Sequence, residues 1–153
     1  MNHQKIFYYS FLLLLLTGCD EKKEQGMNSN DLKLNQIQVI GSHNSYRIHP
    51  VQDMFNLMTG LNPELAAELD YGHPSFDVQF SQHGIRQIEI DVYHDPEGGL
   101  FYNQRGNLFI GLPVPSGIEE LLDPGLKVLH FPDIDYRTHY LTFIDALTAV
   151  KTW

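Results

Sequence analysis

The sequence predicts an α/β fold, with a parallel sheet and helices packed outside it. Strand-like and helix-like segments alternate along residues 37–153, which is the order typical of parallel sheets. A length of 153 residues with 42% apolar content is enough for a single domain with a buried core. Both observations favour one compact α/β domain.

The first elements are a short strand and two helices. Residues 37–40 (Ile-Gln-Val-Ile) are mostly apolar and end before a polar segment, which indicates a strand. Asn62 followed by Pro63 is typical of a helix N-terminus, since asparagine caps and proline fits the first turn. Pro74 begins a second helical segment, and Gly84 closes it as a C-cap.

The next strand covers residues 86–92, where apolar and polar side chains alternate. Glu89 and Asp91 therefore lie on the same face of this strand. Residues 96–99, Pro-Glu-Gly-Gly, form a turn signal, so we expect a small hairpin excursion there.

The last elements are a strand over residues 127–131 and a closing helix. Residues 103–126 are rich in proline and glycine and predict irregular structure. Thr142 with Asp145 three residues later is a capping-box signature. Three strands do not close a barrel, and no strand follows the last helix, so we expect the chain to be a fragment.

The N-terminus predicts an export signal. Lys5 precedes an apolar run over residues 6–16, which is too short to span a bilayer comfortably. The run ends in Leu-Thr-Gly-Cys, which resembles the lipobox of bacterial lipoproteins and makes Cys19 the lipidated residue. The alternative is a buried apolar segment with an ordinary thiol. With one cysteine, the chain has no intrachain disulfide.

The predicted organisation has three parts: a lipoprotein signal peptide over residues 1–18, a polar tether over residues 19–34, and a globular part over residues 35–153. The tether is too polar to fold by itself. A net charge of −9 argues against a nucleic-acid partner, because that binding needs clustered lysine and arginine. A phosphate substrate would need a local cation or a metal to offset this charge.

Two acidic residues in one strand need an explanation, because parallel strands are normally apolar on both faces. The spacing of Glu89 and Asp91 directs both carboxylates the same way. Carboxylate oxygens are ligands that suit Ca²⁺ or Mg²⁺ rather than zinc. The alternative is an edge strand with a solvated face. Taken alone, the Glu-x-Asp pattern is a weak signal.

Further polar residues follow the other two predicted strands. His43 and Asn44 come after the first strand, and Asn44 offers a neutral oxygen to the same cation. His130 lies at the end of the third strand. Barrel and doubly wound folds place their sites at the carboxyl ends of strands, so the joint pattern indicates a site.

Three segments together resemble the phosphatidylinositol-specific phospholipase C superfamily, most closely its bacterial Ca²⁺-dependent branch. They are residues 40–47 (Ile-Gly-Ser-His-Asn-Ser-Tyr-Arg), 84–93 (Gly-Ile-Arg-Gln-Ile-Glu-Ile-Asp-Val-Tyr) and 127–130 (Lys-Val-Leu-His). The resemblance implies a TIM-like (β/α) barrel, of which this chain would be an incomplete N-terminal half.

The resemblance also implies residue roles. His43 and His130 would be the catalytic histidines, and Asn44, Glu89 and Asp91 would hold Ca²⁺. The implied reaction is attack of a neighbouring hydroxyl on a phosphodiester while the histidines move protons. The division of acid and base roles between the two histidines stays open.

One family feature is missing from this chain. A further acidic metal ligand normally comes from the strand after the helix that here ends at Trp153. Three protein ligands are few for an ion that prefers six to eight oxygens. We therefore expect weak Ca²⁺ binding, and expect the full-length protein rather than this chain alone to be the active enzyme.

The remaining candidates receive structural interpretations. Arg86 lies on the opposite strand face from Glu89, and we interpret it as structural. His94 is expected to be a solvent-facing turn residue. The other histidines are expected to be ordinary surface or packing residues: His49, His73, His83 and His139.

Three rival functions stay open. A glycerophosphodiester phosphodiesterase uses a related barrel, but its first motif is usually His-Arg-Gly. The others are a catalytically inactive lipid-anchored binding module and a structural envelope lipoprotein, since fold resemblance alone does not establish activity. The expected partners are a phospholipid or inositol phosphodiester and, through the anchor, a membrane. The expected location is the bacterial cell envelope.

Overall fold

The computed structural model describes residues 29–153. The predicted signal peptide, Cys19 and the start of the tether lie outside the described residues. The chain divides into one unit over residues 1–38 and a second over residues 39–153. In the described part of the first unit, Ser29–Asp31 and Leu34–Gln36 are single 3-10 turns. Within residues 29–153, no helix has the length and apolar character needed to cross a membrane.

The second unit mixes strands and helices. In chain order, its elements are β1 (Ile40–Ser42), α1 (Gln52–Leu61), α2 (Pro63–Glu68), α3 (Phe76–Gln82), β2 (Ile85–Ile88), β3 (Val92–Asp95), β4 (Gly125–Val128) and α4 (Phe143–Thr152). Two further 3-10 turns, Arg105–Ile110 and Glu119–Leu122, lie between β3 and β4. The described strands form two separate pairs and no closed barrel.

The pair β1–β2 is parallel, as the sequence predicts, with the helices α1–α3 in the connection. Ile40 pairs with Ile85 and Gly41 with Gln87. The Gln87 side chain lies over Gly41, where a Cβ would be 1.9 Å from Gln87 Oε1, so a larger residue at position 41 would displace that side chain. The predicted start of this strand was too early, since β1 begins at Ile40 rather than at residue 37.

The predicted strand over residues 86–92 is divided into β2 and β3. The division has a cause elsewhere in the chain. Ser45 N–H donates to Glu89 O at 3.0 Å, and Glu89 N–H donates to Ser45 Oγ at 2.9 Å. These bonds attach the backbone at Glu89 to the loop after β1, so the chain changes direction before Val92.

The prediction that the third strand joins a parallel sheet was wrong. Strand β4 pairs antiparallel with β3, with Val92 opposite Val128 and Asp95 opposite Gly125. The excursion over residues 96–124 returns the chain beside β3 in the opposite direction, and the two strands therefore pair antiparallel. This strand also ends at Val128 rather than at residue 131.

The helix signals were read correctly except at α1. Asn62 accepts from Leu65 N–H at 3.1 Å, with Pro63 in the first turn of α2. Helix α3 lies between Pro74 and Gly84, as predicted. Helix α1 was not predicted, and its N-cap is Val51, whose side chain offers no capping hydrogen bond.

The core of the second unit consists of three apolar clusters. The first joins α3 and α4 to the strands and contains Tyr46, Phe76, Phe80, Val128 and Ala146. The second packs α1 against α2 and contains Met54, Met58, Ala66 and Leu69. The third contains Phe101, Leu121 and Leu129. The first cluster lies directly under the loops that carry the candidate site, because Tyr46 belongs to both.

The capping box of α4 provides a stability test. Asp145 N–H donates to Thr142 Oγ1 at 3.1 Å, and Thr142 N–H donates to Asp145 Oδ2 at 3.1 Å. We expect Thr142→Ala to lower the free energy of unfolding by about 1 kcal/mol, since one helix donor loses its partner. Urea unfolding followed by circular dichroism measures this. Thr148→Ala, at an exposed position inside the same helix, is the control and should be neutral or slightly stabilising. Equal losses in the two variants would contradict the capping role.

Candidate active site

The loop after β1 carries three of the candidate residues and orients them differently. Asn44 has a φ of 48°, in the left-handed region, where asparagine is tolerated better than most residues. Arg47 N–H donates to Asn44 O at 2.9 Å and closes the turn. The His43 side chain is left 71% exposed, whereas Asn44 and Tyr46 are buried.

Glu89 and Asp91 lie in the segment between β2 and β3, beside this loop. Glu89 Oε2 accepts from Asn44 N–H at 3.3 Å and lies 3.5 Å from His43 Nε2. Asp91 Oδ2 accepts from the Tyr46 hydroxyl at 2.9 Å. The same hydroxyl lies 3.4 Å from Asn44 Oδ1. The side chains of Glu89 and Asp91 are thereby held beside the loop that carries Asn44, in the segments that follow β2 and β1.

Tyr46 connects the site to the core. Its ring is fully buried in the first apolar cluster, and its hydroxyl reaches Asp91. Burial, followed by the hydrogen bond and the charge of Asp91, raises the pKa of Tyr46 far above its usual value. The hydroxyl therefore stays protonated and remains a donor to the carboxylate.

Tyr71 and His73 support His43 from the segment between α2 and α3. The Tyr71 hydroxyl accepts from Asn44 Nδ2 at 2.8 Å and lies 3.3 Å from His43 Nδ1. His73 Nε2 lies 2.8 Å from His43 O. A cavity of about 460 Å³ beside them is lined by His43, Tyr71, His73 and His83 among others. His73 was expected to be an ordinary histidine, but its contact places it against this candidate site.

His130 lies two residues after β4 and is mostly buried, with a side chain 12% exposed. Its Nδ1 is 2.7 Å from Asp135 Oδ2, and the same carboxylate oxygen accepts from Arg47 Nε at 2.6 Å. The Tyr93 hydroxyl donates to His130 O at 2.7 Å. His130 therefore connects through Asp135 and Arg47 to the loop that carries His43, while its ring bonds to Asp135 and not to the three oxygen donors.

The chemistry of the donors fits a hard cation. Asn44, Glu89 and Asp91 offer only oxygen, which is the ligand type that Ca²⁺ prefers. Glu89 has a side chain 44% exposed, so water and substrate have access to the same place. Within residues 29–153, no cluster of three or more histidine, cysteine, aspartate or glutamate residues is arranged to hold a metal. The set depends on the amide of Asn44 as its third donor and leaves several positions of a Ca²⁺ shell to other oxygens.

Comparison with protein families gives a match that covers most of the described chain. The model for phosphoinositide phospholipase C, Ca²⁺-dependent, matches residues 32–153. The chain belongs to this family. Searches of curated proteins and of solved structures found no significant match. The resemblance to the Ca²⁺-dependent branch that the sequence motifs indicate is confirmed, and Ca²⁺ is the cofactor of the family.

Sequence reasoning missed the residues that hold the candidate groups in place. Tyr46 stands inside the quoted His-Asn-Ser-Tyr motif, so its position was a signal that was not used. Asp135 and Tyr71 carry no such signal. Both contact Arg47, but Asp135 lies 88 residues and Tyr71 lies 24 residues away from it along the chain. Their proximity depends on tertiary structure.

The remaining polar candidates occupy ordinary positions. Arg86 donates to Phe80 O at 2.8 Å and its guanidinium stacks on Trp153, which agrees with a structural role. His94 is exposed, as expected, but it lies in β3 rather than in a turn, because the strand continues to Asp95. His49 contacts Asp70 at 3.1 Å on the surface.

The raised pKa of Tyr46 predicts a pH dependence of stability. Unfolded tyrosine loses its proton near pH 10, whereas folded Tyr46 retains it, so the folded state binds more protons above about pH 10. The free energy of unfolding should fall as the pH rises through this range. Tyr93 and Tyr140, whose pKa values are also raised, act in the same direction.

We expect Tyr46→Phe to reduce this alkaline slope by up to about 1.4 kcal/mol per pH unit, since one linked proton is removed. Urea unfolding at several values between about pH 8 and pH 11 measures the slope. Phe76→Leu is the control, because it perturbs the same buried cluster without removing an ionisable group. If both variants keep the wild-type slope, Tyr46 is not the linked residue.

Proposed function

We propose that this protein is a Ca²⁺-dependent phosphoric diester hydrolase that cleaves an inositol phospholipid or a related phosphodiester. Membership of the phosphoinositide phospholipase C family supports this at the level of the reaction class. The observation that carries the proposal is the convergence of Asn44, Glu89 and Asp91 beside His43 at the ends of two parallel strands. In barrel enzymes this end of the strands holds the active site.

The β1–β2 pair with its helical connection is the unit from which such barrels are built. We therefore propose that these strands contribute to a TIM-like barrel. The antiparallel pair β3–β4 is an excursion from that plan, which carries His130 back towards the segment after β1.

The proposed reaction begins with attack of a substrate hydroxyl on the neighbouring phosphorus. One histidine accepts the proton of that hydroxyl, and the other donates a proton to the leaving oxygen. An inositol substrate would give a cyclic phosphodiester product. His43 is suited to proton exchange with a large substrate, since its ring is exposed and stands 3.5 Å from Glu89.

Ca²⁺, when bound, stabilises the negative charge that develops on the phosphoryl oxygens. A cation is needed at this place because the chain itself is negatively charged. Glu89 and Asp91 would repel a phosphodiester anion, and the whole chain carries a formal charge of −9. Asn44, Glu89 and Asp91 are the residues that would hold the ion.

We further propose that Cys19 carries a lipid anchor and that the protein resides at the bacterial cell envelope. The apolar run before Leu-Thr-Gly-Cys supports this. An anchored enzyme meets a lipid substrate at a raised local concentration, because the tether limits the volume that the domain explores.

Phosphodiesterase turnover by the full-length protein tests the proposed reaction. We expect hydrolysis of phosphatidylinositol with Ca²⁺ and loss of activity with a chelator. His43→Gln should lower kcat/KM by about a hundredfold or more, since general acid-base catalysis contributes factors of this size. Glu89→Gln should also lower kcat/KM and raise the Ca²⁺ concentration needed for activity, since it removes a charged oxygen ligand. His94→Gln, an exposed strand residue, is the matched control and should retain activity.

The substrate panel separates the rivals. Preference for deacylated glycerophosphodiesters over phosphatidylinositol would favour a glycerophosphodiester phosphodiesterase. Binding of the lipid without turnover, in a protein that remains folded, would favour an inactive binding module. Activity that is insensitive to a chelator would contradict the role of Ca²⁺.

Cys19→Ser tests the anchor. In a bacterial host we expect the wild-type protein to incorporate a labelled fatty acid and to sediment with membranes, and the variant to do neither. Ser29→Ala in the same N-terminal segment is the control and should behave as the wild type. A labelled Cys19→Ser protein would disprove lipidation at this cysteine.

A further inference from the structure

We propose that Tyr71 is a positioning residue of the Ca²⁺ site. Its hydroxyl holds the NH₂ group of the Asn44 side chain, so that the amide oxygen rather than the NH₂ group is offered to the cation. This role deepens the proposed function and rests on it, because that function makes Asn44 a Ca²⁺ ligand. Tyr71 acts on the cation only through Asn44.

The orientation of the Asn44 amide decides whether it can hold a cation. Its Oδ1 is an acceptor with lone pairs, whereas Nδ2 carries two N–H donors, which repel a cation. Asn44 is only 2% exposed, so protein groups rather than bulk water set its orientation. Two tyrosine hydroxyls contact the amide: Tyr71 Oη lies 2.8 Å from Nδ2, and Tyr46 Oη lies 3.4 Å from Oδ1.

The Tyr46 hydroxyl leaves the amide oxygen with its lone pairs. A phenol has a single proton to donate. Tyr46 donates it to Asp91 Oδ2 at 2.9 Å rather than to Asn44 Oδ1 at 3.4 Å, because the shorter bond to a charged oxygen is the stronger one. Asn44 Oδ1 therefore keeps its lone pairs for another partner, next to the hydroxyl that binds Asp91.

The proton of the Tyr71 hydroxyl points away from Asn44. His43 Nε2 lies 3.5 Å from the Glu89 carboxylate, which only accepts, so the proton of the neutral ring lies on Nε2. His43 Nδ1 is then an acceptor, and it lies 3.3 Å from Tyr71 Oη. Because the hydroxyl donates to His43, its oxygen accepts from Asn44, and the group that it binds is the NH₂ end of the amide.

The Tyr71 side chain is itself fixed, so its hydroxyl is a rigid acceptor. The Arg47 guanidinium lies over the ring, 4.5 Å from its centroid, and donates to Tyr71 O and, at 2.9 Å, to Leu69 O. The neighbouring His73 fixes the same segment to the site loop. Its N–H donates to Arg47 O at 2.9 Å, and its Nε2 lies 2.8 Å from His43 O.

Nuclear Overhauser effects read the amide orientation in the wild-type full-length protein, so this test does not depend on a variant that folds. The side-chain amide signals of Asn44 are the ones lost in Asn44→Asp. We expect their protons to show stronger effects to the ring protons of Tyr71 than to those of Tyr46. The reverse order would mean that the amide is turned the other way and would overturn the proposal.

Calorimetric titration of the full-length protein with Ca²⁺ tests the consequence without turnover. We expect Tyr71→Phe to raise the Ca²⁺ dissociation constant by about tenfold or more, because loss of a group that orients a metal ligand has effects of this size. A phenylalanine ring can still lie over Arg47, so the variant removes the hydroxyl alone.

Tyr136→Phe is the matched control. It deletes another tyrosine–asparagine contact, from Tyr136 Oη to Asn107 Oδ1 at 3.2 Å, and should bind Ca²⁺ as the wild type does. Wild-type affinity in a folded Tyr71→Phe protein would contradict the role of Tyr71, and so would the same loss of affinity in both variants.

Failure of this role and failure of the proposed function are distinguishable. If the wild-type protein binds Ca²⁺ but hydrolyses no phosphodiester, the proposed function fails, and a tenfold loss of affinity in Tyr71→Phe still supports the role of Tyr71. If the protein is active and Tyr71→Phe binds Ca²⁺ normally, the function stands and the role fails. A wild-type protein that binds no Ca²⁺ would disprove both.

Discussion

The buried ion pair between Arg47 and Asp135 is the interaction on which the arrangement of the site depends. Both side chains are fully buried, so loss of one partner would leave an uncompensated charge, at a cost of about 3–5 kcal/mol. The pair connects the loop after β1 to the segment after β4, and the guanidinium also stacks on Tyr71, which contacts Asn44 and His43. Through Asp135 and Tyr71, Arg47 thus helps to hold both candidate histidines, His130 and His43, in position.

The candidate site separates into residues that sequence motifs reveal and residues that only the fold reveals. Sequence motifs reveal the four residues that follow predicted strands: His43, Asn44, Glu89 and Asp91. They indicate one site because the carboxyl ends of parallel strands lie close together. Tyr46, Tyr71 and Asp135 hold those groups from behind. A mutation in this supporting set would alter the geometry of the site without touching an oxygen donor, which is how supporting residues usually act.

Much of the fold follows from local signals, and the failures have identifiable causes. The caps at Asn62 and Thr142 were readable because each side chain bonds the backbone within its own helix turn. Helix α1 lacks a capping side chain and was missed. The continuous strand predicted over residues 86–92 failed because its interruption at Glu89 depends on Ser45, 44 residues away. Pairing of β4 with β3 is equally non-local, and periodicity within one segment does not determine it.

The left-handed backbone at Asn44 limits how this site can diversify. Glycine, asparagine and aspartate are the residues that occupy such a conformation with little strain. Glycine would preserve the turn and remove an oxygen donor. Aspartate would preserve the turn and add a third negative charge beside Glu89 and Asp91, which would strengthen cation binding. Without a cation, the three carboxylates would repel one another and lower the stability of the folded protein. A single position can therefore exchange calcium affinity against the stability of the metal-free protein without moving the chain.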